Sequence, residues 1–145
     1  MIATDTSLIL RSPKLGDVPY TTDDVVKFPG GLPGFEALRA FLLVTREECT
    51  PFVFLASLER PEVALPLMPL ALAAVGIPVP QEALNALGEA GENALACYAV
   101  VTIGVDAKQI VANLRAPIVV NLDTRLGAQV ILADEALPLS ATLPL

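Results

Sequence analysis

Proline punctuates this chain from end to end. Thirteen prolines and nine glycines are spread through 145 residues without clustering, and each proline removes a backbone donor and clashes with a preceding helical turn. No long amphipathic helix pattern fits between them, so the chain is cut into segments of strand length. Candidate strands are Leu8 to Ser12, Asp24 to Phe28, Phe41 to Thr45, Phe52 to Leu58, Val63 to Met68, Leu95 to Val105, Gln109 to Leu114, Ile118 to Leu122 and Ala128 to Leu132, all rich in Val, Ile, Leu or Phe. The last apolar segment alternates, with Leu137, Leu139, Ala141 and Leu143 on one face, and its prolines mark an edge strand or a tail. Helix fits over Pro80 to Ala90: Pro80 suits a first helical position, Glu82 lies in the first turn, and Gly88 or Gly91 ends it. Shorter helical turns are expected at Pro69 to Val75 and Glu36 to Ala40.

The expected architecture is mostly β: a small, single-domain, antiparallel β-barrel-like fold with one or two short helices. At about 150 residues per domain the length allows one domain, over 1–145. Residues 1–20 and 138–145 are expected to be held loosely. Hydrophobic residues make up 54% and charged residues 17%, which disfavours disorder and coiled coil. The uncharged stretch from Val63 to Gln81 approaches bilayer-spanning length, but Pro66, Pro69, Pro78 and Pro80 interrupt it. The N-terminus lacks the basic start and long apolar run of a secretory signal. A cytoplasmic protein is expected, in which Cys49 and Cys97 stay unpaired.

The chain contains no His, so the usual general base near neutral pH and most zinc sites are missing. Ser57 and Ser140 have no partner base at a supporting spacing, and the adjacent carboxylates Glu47/Glu48, Asp23/Asp24 and Asp134/Glu135 would point apart on a strand. No catalytic, cofactor or metal site is expected. The balance of 9 Lys+Arg against 16 Asp+Glu gives a net charge of −7, which repels a phosphate backbone and disfavours direct nucleic-acid binding. Between Arg60 and Lys108 lie Glu62, Glu82, Glu89, Glu92 and Asp106 without one basic residue. That interval is either a solvated face or a docking surface for a basic partner protein.

Two motifs stand out. The run Gly30-Gly31-Leu32-Pro33-Gly34-Phe35 lacks the Lys and Ser/Thr of a phosphate-binding loop and reads as a glycine turn anchored by Phe35. Asn113 and Asn121 bracket a strand with Pro117 near its start, where Asn side chains satisfy loop backbone.

Taken in order, Phe28-x-x-Gly31-x-x-Gly34-Phe35, Pro51-Phe52 with Leu55-x-Ser57, Asn113-Leu114-x-Ala116-Pro117-Ile118-x-x-Asn121 and Gln129 resemble the flagellar assembly factor FliW family over about residues 24–133. The resemblance implies a compact β-barrel-like fold and a non-enzymatic protein-binding regulator. Proteins of that family bind the translational repressor CsrA, antagonise it allosterically, and are competed away by flagellin, which ties flagellin translation to export. No cofactor, no direct nucleic acid and no membrane are implied, and a monomer is expected when free. Glu59 and Glu62 are candidate rim contacts, and Asn113, Arg115, Asn121 and Gln129 candidate hydrogen-bonding contacts. Gly31, Gly34, Phe35, Pro51, Phe52, Leu55, Ser57, Leu114, Ala116, Pro117 and Ile118 read as structural.

The chain departs from the pattern at Ala56, where the family usually has Gln and a polar contact would be lost. Its tail from Pro138 also lacks the family's aromatic and basic residues; both departures bear on partner choice. The competing reading is a small-molecule-binding β-barrel or an unrecognised enzyme.

Overall fold

The structure is a computed structural model that describes residues 8–32, 34–49, 51–70, 81–88, 95–103, 109–130 and 141–144. The strands are β1 (Leu8–Ser12), β2 (Gly16–Tyr20), β3 (Val25–Lys27), β4 (Ala40–Thr45), β5 (Val53–Ser57), β6 (Ala64–Leu70), β7 (Leu95–Ile103), β8 (Gln109–Asn121), β9 (Leu126–Gln129) and β10 (Ala141–Pro144), with one helix, α1 (Gln81–Leu87). Strands β3 to β9 close into a seven-stranded barrel, and β10 pairs with the first part of β8. The expected mostly β, barrel-like class is what the chain adopts.

One junction departs from the antiparallel expectation: β3 runs parallel to β9, through Lys27 and Leu126. The cause is parity. Strand direction alternates from β3 to β8 and again from β8 to β9, and an odd ring cannot alternate throughout. The Lys27 N–H donates to the Arg125 carbonyl at 2.9 Å across that seam.

Runs such as Ala40-Phe41-Leu42-Leu43-Val44 are apolar at every position because both faces of the wall are covered. Phe41 and Leu43 join Val26, Phe28, Leu55, Leu67, Ile118 and Val120 in the barrel interior. Leu42 and Val44 face outward with Ala56 and Ala64, under Leu10 and Val18 of the β1–β2 hairpin. On another part of the wall, Leu87 and Ala83 of α1 cover Cys97, Val119, Leu126 and Ala128. Alternation between two buried faces leaves no polar residue to mark the period.

The prolines of β6 obey the ladder. The Ser57 N–H to Val63 carbonyl bond (2.9 Å) sets the pairing phase, so Pro66 turns its nitrogen away from β5, and Pro69 turns its own toward β5. β5 pairs only with Ala64–Leu67 and β7 only with Leu67–Leu70. Each proline therefore faces the side on which β6 has no partner at that position, and no ladder bond is lost.

Four expectations are corrected. Residues 8–20, expected to be held loosely, form the β1–β2 hairpin, with Leu10 and Val18 buried against the barrel. The segment 141–144 pairs with β8, so the tail is held there as an edge strand. The expected helical turn at 36–40 is a tight turn, closed by the Leu38 N–H to Phe35 carbonyl bond at 3.0 Å. In the expected helical turn at 69–75, Pro69 and Leu70 belong to β6, and 71–75 lies outside the described residues. Among the described residues no helix is long and apolar enough to cross a membrane.

Candidate partner-binding surface

The segments expected as separate strands, 109–114 and 118–122, form one 13-residue strand interrupted by a bulge. Tyr98 pairs with Ile118, whereas Val100 pairs with Asn113, so residues 114–117 hold the extra length. Pro117, buried, has no N–H to leave unpaired there, which suits a bulge. The carbonyls of the bulge, half-buried or buried, need donors. Gln129 Nε2 donates to the Ala116 carbonyl at 2.9 Å, and the Val130 N–H donates to the Pro117 carbonyl at 2.9 Å. The motif residues Ala116, Pro117 and Gln129 thus meet at one bend, and Ile118 enters the core beyond it. Backbone positions 113–115 lie in β8, while the side chains of Asn113, Leu114 and Arg115 lie outside the described residues. Gln129→Leu is expected to leave the half-buried Ala116 carbonyl without its donor and to cost about 1 kcal/mol, measured as a lower urea midpoint with faster amide exchange at Val130.

Asn121 is fully buried, which places its side chain beneath the surface rather than on it. Its Nδ2 donates to the carbonyls of Leu87 (3.0 Å) and Gly88 (3.3 Å), and its Oδ1 accepts from the N–H groups of Asp123 (2.9 Å) and Thr124 (3.2 Å). Thr124 Oγ1 also donates to the Leu87 carbonyl at 2.8 Å. The last carbonyls of α1 have no intrahelical partner; Asn121 and Thr124 supply one. Gly88, at φ +84°, turns the chain out of the helix in the left-handed region that favours glycine. Sequence reasoning missed Thr124; the only signal was a small hydroxyl residue three positions after an Asn at a strand end.

The glycine run behaves as a turn. Gly31 has φ +67°, and a Cβ there would lie 2.6 Å from the Glu36 carbonyl oxygen. Gly34 is exposed at φ +86°, and Phe35 packs on the barrel core. Phe52 packs against Ala99, Val101 and Ala112, after exposed Pro51.

Comparison with known proteins follows this arrangement closely. A family model described as FliW protein matches residues 9–143. The chain belongs to the FliW family. Similar proteins called flagellar assembly factor FliW come from Carboxydothermus hydrogenoformans (35% identical over 142 residues, 95% of this chain and 90% of that one), Clostridium tetani (35% over 122 residues, 83% and 84%) and Thermotoga maritima (39% over 126 residues, 84% and 84%). A crystal structure of the flagellar assembly factor FliW superposes with a TM-score of 0.81 at 30% identity, covering 92% of this chain and 95% of that one.

In this FliW-family chain, Leu55 and Ser57 are both fully buried. Ser57 Oγ accepts from the N–H groups of Glu59 (3.1 Å) and Arg60 (2.9 Å), and so shapes the turn between β5 and β6. Glu59 and Glu62 are exposed on that turn. Glu59 Oε1 accepts from the N–H groups of Arg39 (2.6 Å) and Ala40 (2.8 Å), bracing the start of β4. The Ala40 and Arg39 N–H groups hold its carboxyl below the ordinary value of 4.5. Glu62 pairs with Arg60 at 3.1 Å, and its own N–H and the Arg60 side chain also hold its carboxyl low.

A folded value below the unfolded one means that the Glu59 contribution is complete above about 4.5 and is lost as pH falls through the depressed value. Glu59→Gln is therefore expected to flatten the acid limb of stability below that pH, checked by thermal melts from neutral to acid pH.

Ala56, where a polar contact was expected to be lost, is fully buried beneath the hairpin. Its small side chain lets Leu10 and Val18 approach the wall, so this departure bears on hairpin packing.

Proposed function

We propose that this FliW-family protein is a non-catalytic, cytoplasmic, protein-binding regulator of flagellum assembly. It binds a CsrA-type translational repressor as a free monomer and relieves repression allosterically, and flagellin displaces it. The observation that carries this reading is the exposed Glu59 to Glu62 turn, braced by backbone bonds and displayed on a chain of net charge −7. Opposite charge accelerates encounter with a basic RNA-binding protein and suppresses wrong partners, and a pre-shaped turn loses little entropy on docking. Arg115 and Asn113, carried on the bulged strand, are proposed as further contacts.

The test is calorimetry with purified CsrA and flagellin at two salt concentrations. Binding to each alone, exclusion of one by the other, and weaker CsrA binding at high salt are expected. Glu62→Lys is the variant of choice, because Glu59 also braces β4. Absence of binding to both proteins would sink the reading.

A further inference from the structure

A cleft of about 320 Å³ lies between the hairpin and the barrel wall, lined by Val18, Pro19 and Tyr20 of β2, Asp24, Leu42 to Arg46, and Arg125. Its floor is an unfinished strand edge. The Leu58 N–H to Ala40 carbonyl bond (3.0 Å) fixes the alternation along β4, so the backbone polar groups of Leu43 and Thr45 point away from β5. On that side β3 pairs only as far as Leu42. The Asp24 N–H is turned back to the Thr21 carbonyl at 3.0 Å, so it does not extend β3 along the edge. The Val25–Leu42 pairing still sets the Asp24 carbonyl against the Leu43 N–H, so among the described residues the open backbone groups of this edge are the Leu43 carbonyl and those of Thr45.

Two arginines flank this edge in a chain with a large acidic excess. Arg46 Nη2 donates to the Leu15 carbonyl at 2.8 Å, and Arg125 Nη2 donates to the Asp24 carbonyl at 2.7 Å. Neither forms an ion pair among the described residues, where the one salt bridge joins Arg60 and Glu62. The Asp24 carboxylate, also at the cleft, accepts from Thr21 N–H (2.8 Å) and Oγ1 (3.3 Å) instead. Each guanidinium is therefore oriented by a neutral carbonyl and has no carboxylate in ion-pair contact among the described residues. Arg125 is also the one non-glycine residue with positive φ (+59°) among the described residues, and its Nε is buried without an acceptor. Backbone held in that region costs of order 1–3 kcal/mol and clusters at binding sites.

We propose that this cleft takes up an extended peptide segment as an added strand on β4, with an acidic side chain of that segment held between Arg46 and Arg125. Main-chain bonds to the Leu43 carbonyl and to Thr45 supply register and affinity, and the two arginines select for the carboxylate. The proposal does not depend on which proteins the chain regulates, because its test uses synthetic peptides alone.

The full ¹⁵N-labelled chain is titrated with acetyl-TVEVTV-amide. Saturable shifts confined to Val18–Tyr20, Leu43–Arg46 and Arg125 are expected. Replacing Glu by Gln in the peptide, or Arg46→Gln in the protein, is expected to weaken binding about tenfold, and N-methylating alternate peptide residues to abolish it. Arg46→Gln carries the test because Arg125 also serves the barrel seam. No saturable shift at millimolar peptide, equal binding of the Glu and Gln peptides, or undiminished binding of the N-methylated peptide would each overturn the proposal. Acetate titrated alone reads the anion site by itself; acetate binding as tightly as the peptide would also overturn strand addition.

Discussion

Replacing Asn121 by Leu is expected to lower stability by about 3–4 kcal/mol, a large share of what a domain of this size possesses. Leu keeps the number and branching of Asn's side-chain heavy atoms, so most of the loss is polar, with some overpacking from its bulkier methyl groups. Four backbone groups lose a partner at once: the carbonyls of Leu87 and Gly88 and the N–H groups of Asp123 and Thr124. The Leu87 carbonyl keeps the Thr124 hydroxyl at 2.8 Å, which limits the damage at that atom. The other groups are left to solvent or to nothing, at about 1–3 kcal/mol for each that stays buried. Urea unfolding should show a lower midpoint with an unchanged slope. Thr124→Val, which removes only one bond, should cost about 1 kcal/mol, and the two losses should not add, because both residues serve Leu87. A midpoint for Asn121→Leu within experimental error of the parent would show that the amide does not hold α1 to the barrel.

These distances in sequence explain what could be read from the chain alone. Segments such as Phe41 to Thr45 and Leu8 to Ser12 were legible because local apolar runs between breakers are a strand's own property, and for the same reason the helix end was narrowed to Gly88 or Gly91, of which Gly88 is the one that follows α1. β2 was not legible: Gly16-Asp17-Val18-Pro19-Tyr20 reads as a loop, and only its hairpin pairing with β1 and the burial of Val18 make it a strand. The bulge was hidden because Pro117 looked like a strand start, whereas the register shift that defines it depends on β7. Among candidate contacts, the sequence had Asn121 satisfying loop backbone, as it does at Asp123 and Thr124. Its bond to Leu87, 34 residues away, and that of Gln129 to Ala116, 13 residues away, could not be read. The cleft was invisible for a related reason: Arg46 and Arg125 are far apart in the chain and line one cleft only after the barrel closes.

The seam at which the barrel closes also holds one tight contact, and that contact carries the other large prediction. A Cβ on Gly127 would lie 2.6 Å from Phe28 Cζ and 2.9 Å from Cε2. Gly127 is in β9 and Phe28 follows β3, so this contact sits at the parallel seam. The Phe28 ring cannot simply move: it is fully buried and meets Phe41 edge to face, with centroids 5.2 Å apart and planes at 76°. Phe28→Ala is expected to cost about 3–5 kcal/mol by emptying the barrel interior. Gly127→Ala is expected to cost about 1–3 kcal/mol by overpacking it. The decisive measurement is the double change of Gly127→Ala with Phe28→Leu, because a smaller, branched side chain has no ring atoms where the new methyl must go. Chemical denaturation of the parent, Gly127→Ala, Phe28→Leu and the double variant should give a favourable coupling of about 1 kcal/mol or more. Strict additivity would mean that the strand relaxes around the methyl group, and that the seam is held by the Lys27 to Arg125 backbone bond rather than by close packing of Phe28 on a bare backbone.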